Sequence, residues 1–200
     1  MLKFYFIAIV LLFLHGCGTQ KSVSKPFPVS HKGMYVHKAS KVSFPEKIGD
    51  FQRTNISNFN PEGTDTSATY YLKNSDLVIL MTAYIYPAPL VSSLGSPKEV
   101  IDQAKKNTCE REYSQIKQEI MAKTPGSTLL DEGPKTLRTT QEALEGSEAS
   151  FLYPDNATST LYFFCPVKES WTLKFRATYH ETSKSKAKVE DFLTQFTSLQ

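Results

Sequence analysis

The chain is short of the residue types that most chemistry needs. Its 200 residues hold three cysteines, four histidines and one tryptophan, and only His180 among the histidines lies beyond residue 37. No Gly-rich phosphate loop, HExxH pair or CxxC pair occurs, so the sequence supports none of the chemistries those motifs carry. No apolar run approaches the roughly 20 residues that cross hydrocarbon. The longest, Phe4 to Leu14, has eleven. Acidic residues are absent before Glu46, whereas Lys3, Lys21, Lys25, Lys32, Lys38 and Lys41 all precede Val42. The overall charge of +3 is therefore a property of the N-terminal segment. From Val42 onward 17 basic residues face 20 acidic ones, which leaves no basic face for nucleic acid. No internal repeat is visible.

What is present begins with the leader. One positive charge at Lys3, the apolar run, then Gly16 and Gly18 form the pattern of a secretory signal peptide. Leu14-His15-Gly16-Cys17 resembles a bacterial lipobox, with His15 where that family has a small residue. The resemblance implies a signal peptide over residues 1–16 and a Cys17 that is acylated and becomes the mature N-terminus. It also implies a partner, the lipid bilayer, reached through Cys17, and a place in the bacterial cell envelope. Gly18, rather than Asp, resembles sorting to the outer membrane, facing the periplasm or the cell surface. The alternative is an ordinary signal peptide cut after Gly18. Residues 17–41, rich in Ser, Lys and Pro, read as a lipidated N-terminus and a flexible basic tether, reaching about 80 Å when stretched. Its lysines either meet anionic headgroups, at about 1 kcal/mol each, or are solvated. His31 and His37 in such a strip make no metal site.

Hydrophobic content of 40% and aromatic content of 12% suit one globular domain over residues 42–200. Phe51 to Phe59 reads as a first strand, Asn60-Pro61-Glu62-Gly63 as a loop, and Ala68 to Leu72 as a second strand. Leu77 to Tyr86 is apolar on both alternating sets, as expected of a strand covered on both faces. Pro87 to Gly95 is a loop carrying Leu90, Val91 and Leu94, either an interaction loop or a cover for the helix that follows. Ser96, Pro97 and Glu99 have the form of a capping box. They predict a long helix to about Lys123, ended by Pro125-Gly126. Its stripe of Cys109, Tyr113, Ile116 and Ile120 puts Cys109 on the core side.

A fourth strand region spans Leu129 to Leu137, broken by Gly133-Pro134. Ala143 to Tyr153 is a fifth, with Gly146 as a bulge. Thr160 to Val167 lines one face with Leu161, Phe163, Cys165 and Val167. Trp171 to His180 alternates cleanly between a buried and a wet face, the mark of an antiparallel sheet. Val189, Phe192, Leu193, Phe196 and Leu199 predict a C-terminal amphipathic helix. The class is α+β: an antiparallel sheet of about six to seven strands, packed against a long central helix and a C-terminal helix. This order resembles the PsbP-like fold, a group of photosystem II extrinsic subunits and assorted exported bacterial proteins. The resemblance implies an accessory or binding role rather than a shared chemistry.

The sequence offers no residue assignable as catalytic, and no metal or cofactor is expected. A nucleophile needs a base within reach, and His180 falls on the wet face while Cys109 and Cys165 fall on core faces. Asp131-Glu132 and Glu190-Asp191 are sequence neighbours that point apart, unlike a glycosidase pair. With Cys17 taken by lipid, Cys109 and Cys165 remain as an even pair in an oxidising compartment, and a disulfide is expected; two buried thiols are the alternative. Aromatic residues such as Tyr70, Tyr84, Tyr86, Phe163 and Trp171 supply a core, and some could line a cleft for an apolar or sugar ligand. The leading reading is a non-catalytic envelope lipoprotein that presents its domain to another envelope protein or supports the envelope. The alternative is a lipoprotein that binds a small apolar ligand, with an enzyme third. A deep aromatic-lined concavity favours binding; a flat sheet face or an exposed Pro87–Leu94 loop favours docking.

Overall fold

A computed structural model describes residues 25–92, 95–139, 142–168 and 170–200. Cys17 and Leu94 lie outside them. The strands are β1 (Phe27–Pro28), β2 (Tyr35–Val36), β3 (Ser43–Phe44), β4 (Lys47–Ile48), β5 (Phe51–Asn58), β6 (Thr66–Lys73) and β7 (Val78–Pro87). Helix α1 (Lys98–Lys123) follows, then β8 (Thr128–Arg138), β9 (Ala143–Leu152), β10 (Ala157–Val167), β11 (Trp171–His180) and α2 (Ser183–Ser198). The class is α+β. Among the described residues, nine strands form one antiparallel sheet in the order β1-β5-β6-β7-β11-β10-β9-β8, with β4 also on β5, and β2 pairs with β3. That exceeds the six to seven expected, because two strands of this sheet, β1 and β4, are two-residue pairings with too little pattern to read.

Two meanders, β5 to β7 and β8 to β11, meet where β11 pairs with β7. The connection between them must travel from the middle of the sheet to its β8 edge, and α1 makes that crossing over β10 and β9. Its stripe does so as the spacing predicts: Cys109, Tyr113 and Ile120 are buried against Ala149, Phe151, Leu161 and Phe163. The N-cap is Pro97, with no side-chain cap hydrogen bond, so the Ser96 capping box does not form. The other face carries the larger core. Helix α2 sets Phe192 5.0 Å from the Phe51 ring and Phe196 5.0 Å from the Phe175 ring. A capping box formed by Thr182 and Ser185 starts it.

Several expectations change. Pro134 does not break β8, which is continuous; at a sheet edge a missing N–H need cost no ladder bond. Gly146 is no bulge. A Cβ there would lie 2.3 Å from the Phe163 carbonyl oxygen, so glycine permits close approach of strand to strand. Val78 and Leu80 are 48% and 41% exposed, because α1 covers β9 and β10 and leaves this part of β7 open.

The flexible tether over 17–41 also needs correction, since its described part is built into the domain. Phe27 and Pro28 pair with Asn58 and Ser57. The Arg53 guanidinium donates to the carbonyls of His31, Gly33 and Phe44, which compensates its burial. His37 is fully buried; its Nε2 donates to the Gly63 carbonyl at 2.8 Å and its Nδ1 accepts from the Ser40 amide at 3.1 Å. The domain therefore starts near residue 27, not 42. Polar composition hid this, because the segment is held by backbone capture rather than by an apolar stripe.

Candidate functional site

Because α1 lies over β9 and β10, the same sheet face stays open over β11, β7 and β6. In the angle between helix flank and open strands is a cavity of about 260 Å³, lined by Phe59, Asp65, Tyr84, Tyr86, Glu112, Ile116 and Lys174. Tyr84 and Tyr86 are alternate residues of β7 and so share a face. Lys174 of β11 stands directly across from Tyr84 in the ladder. Glu112 and Ile116 come from one side of α1, four residues apart. The loop between β5 and β6 closes the remaining side, with Phe59 6.4 Å from the Tyr84 ring and its amide donating to the Asp65 carbonyl at 2.8 Å.

The lysine is the centre of this arrangement. Its Nζ lies 4.3 Å from the Tyr84 ring centre and 5.4 Å from that of Tyr86, within cation–π range. Burial pushes the Lys174 ammonium below its ordinary pKa, and the carboxylates of Asp65, Glu112 and Glu119 oppose that. Burial raises Asp65 in turn, with Lys174 opposing. Tyr84 is raised by burial, and Tyr86 by burial and then by Glu112, to which it hydrogen-bonds. The site joins flat aromatic surface to a cation and two carboxyl groups. Such a lining grips a ring that has both apolar faces and polar edges.

The residues expected to matter fall elsewhere. Cys109 and Cys165 form a disulfide, S–S 2.05 Å and Cα–Cα 5.7 Å, tying α1 to β10. Leu90 is 99% exposed and Val91 half-buried. Both line a concavity with Lys105, Cys109, Pro166 and Ser170. His180 is exposed, near the Asn156 carbonyl at 3.3 Å. Glu132 pairs with Lys117 and Glu190 with Lys135 at 2.7 Å, so these acids serve structure. Among the described residues no three His, Cys, Asp or Glu side chains are grouped to hold a metal ion. No described helix is long and apolar enough to cross a membrane.

Nothing in the sequence pattern joins Lys174, Asp65 and Glu112 into one site. The available signal was a lysine inside a clean strand alternation, whose wet face had to meet something. Compared with known protein families and with curated proteins, the chain matches no family model and no curated relative.

Proposed function

We propose that this chain is a lipid-anchored protein of the bacterial envelope that acts by binding rather than catalysis, holding a small ring-shaped ligand in the Lys174 cavity. The single observation behind the binding role is that aromatic-lined concavity, which lifts ligand binding above the docking role that the sequence ranked first. Its volume, just below the range for drug-sized ligands, suits one six-membered ring. Stacking on Tyr84, Tyr86 or Phe59 with hydrogen bonds to Lys174, Asp65 and Glu112 fits a sugar; the rings alone fit an apolar ring. The lipobox-like Leu14 to Cys17 supports the anchor, and Gly18 in place of Asp supports an outer-membrane site, facing the periplasm or the cell surface. The order of meander, long helix, meander and C-terminal helix supports a PsbP-like fold.

Amide NMR titration with N-acetylglucosamine and, separately, with indole tests the binding role. Shifts confined to Tyr84, Tyr86, Lys174 and Glu112, lost in Tyr86→Ala, are expected with one of them. No shift at these residues with either probe refutes it. A second reading, docking of an envelope protein, is favoured by Leu90, exposed in the loop after β7, and by exposed Val78 and Leu80 on the open face; crosslinking in the native envelope followed by co-purification tests it.

A further inference from the structure

One end of the sheet gathers several separate features. There β5 ends at Asn58, β7 ends at Pro87, β10 ends at Val167 and β11 begins at Trp171. Strand pairing fixes this: Asn58 faces Thr66, Thr66 faces Ile85, Ile85 faces Leu173 and Leu173 faces Phe164. Helix α1 reaches the same end, since Ile101 and Lys105 line one groove of about 950 Å³ with Pro166 and Val167. Lys98, Lys105, Lys106 and Lys168 line that groove together with three acids, Asp102, Glu142 and Glu145. Lys105 also borders the concavity under Leu90 and Val91. Leu90 is 99% exposed and Val100, on the first turn of α1, 56% exposed. Aliphatic side chains standing out beside lysines are what a protein uses to sit in a headgroup layer.

The path of the chain says what covers this end. Strand β1 pairs Phe27 with Asn58, so Pro26 and Lys25 leave the sheet beyond that same end. Cys17 stands eight positions before Lys25, a span of at most about 28 Å. Across the sheet, β1 and β10 are five strand spacings apart, about 24 Å. A lipid on Cys17 would thus hold the bilayer within reach of this end.

We propose that the Leu90 and Lys98–Lys105–Lys106–Lys168 end of the domain docks on an anionic lipid surface, orienting the open sheet face relative to the bilayer. This rests on the anchor reading, which supplies the bilayer. Leu90 enters the headgroup layer while the lysines meet lipid phosphates, each lysine contributing about fivefold in partitioning. The binding is individually weak and works beside the anchor, in keeping with the two-signal requirement for stable membrane attachment.

The test uses residues 18–200, which contain every described element and no acylated cysteine. Sedimentation with vesicles of phosphatidylglycerol and phosphatidylcholine should retain the protein, with weaker retention at high salt. Vesicles of phosphatidylcholine alone should not. Lys98→Ser, Lys105→Ser and Lys106→Ser combined should lower partitioning by about a hundredfold, and Leu90→Ser separately should also lower it measurably. Lys73→Ser with Lys123→Ser, at the opposite end, should leave it unchanged. Circular dichroism melts confirm that each variant is folded. Equal binding to both vesicle types, binding to neither, or an equal effect of the opposite-end variant would overturn the proposal. Intact mass of the full chain from its native envelope reports on Cys17 acylation alone, so the two readings fail separately.

Discussion

The ammonium of Lys174 lies 4.3 Å from the centre of the Tyr84 ring, with Tyr84 directly opposite it on the neighbouring strand. Arg53, also buried, donates to three backbone carbonyls, whereas the close partners of Lys174 are ring faces. Burial holds its pKa below the ordinary value of 10.5, so the folded state carries part of the desolvation cost of the charge. On the proposed binding role, a ligand's polar edge would offset that cost.

Replacing Lys174 by Met keeps the apolar stem and removes the charge. The variant should be as stable as the parent or more so, by about 1 kcal/mol, while ligand-induced shifts at Tyr84 and Tyr86 disappear. Tyr84→Ala should instead cost about 3 kcal/mol. Urea unfolding of the two variants checks the pair; a large loss from Lys174→Met would show the lysine to be structural.

High pH should unfold the protein. Burial raises the hydroxyls of Tyr70, Tyr84, Tyr86, Tyr113, Tyr162 and Tyr179 above their ordinary 10.0. The unfolded chain then loses these protons first. Stability is fully present below about pH 10 and falls as pH rises, by up to about 1.4 kcal/mol per pH unit for each group. Lys174, shifted downward, acts in the opposite sense but is one group against six. Tyrosinate absorbance should rise together with loss of helical circular dichroism; ionisation complete before unfolding would contradict the burial of these rings.

His37 supplies an acid counterpart. Burial lowers its pKa from 6.5, against the raising effect of the bond to Gly63. The unfolded chain takes up the proton first, so this stability is present above about pH 6.5 and is lost as pH falls through the lower folded value. His37→Ala should cost about 2–3 kcal/mol by removing the partner of the Gly63 carbonyl and of Ser40, and should flatten the pH dependence below about pH 6.5. Denaturation midpoints across that range decide it. An unchanged midpoint would return residues 27–41 to the status of a tether.

Reduction of Cys109–Cys165 should lower stability by about 4 kcal/mol, the chain-entropy figure for cysteines 56 positions apart. Cys165→Ser with Cys109→Ser should match the reduced protein. Maleimide labelling of unreduced, denatured protein should add nothing at these two positions; two adducts would disprove the bond.

Local periodicity determined much of this protein. Trp171 to His180 alternates in a pattern that no helix would bury, and the Cys109-Tyr113-Ile116-Ile120 stripe defines one helix face. The same stripe, with the parity of the cysteines, made the disulfide legible. These features depend on residues within a few positions of each other, and backbone geometry alone turns them into faces. The lipobox-like Cys17 is read the same way, from four adjacent letters.

Tertiary structure decided what covers what. Nothing near Val78 or Leu80 in the sequence says that α1 crosses to the β8 edge, yet that path leaves them exposed and opens the cavity. Lys174, Asp65 and Glu112 come from β11, from the loop between β5 and β6, and from α1, and they converge only because β11 pairs with β7. The N-terminal strands were illegible for a related reason: Arg53 and His37 hold residues 27–41 through backbone carbonyls, and every residue type offers the same carbonyl. Side-chain pattern records which face is apolar. It does not record which backbone groups a distant arginine will find, nor which half of a sheet a helix will leave bare.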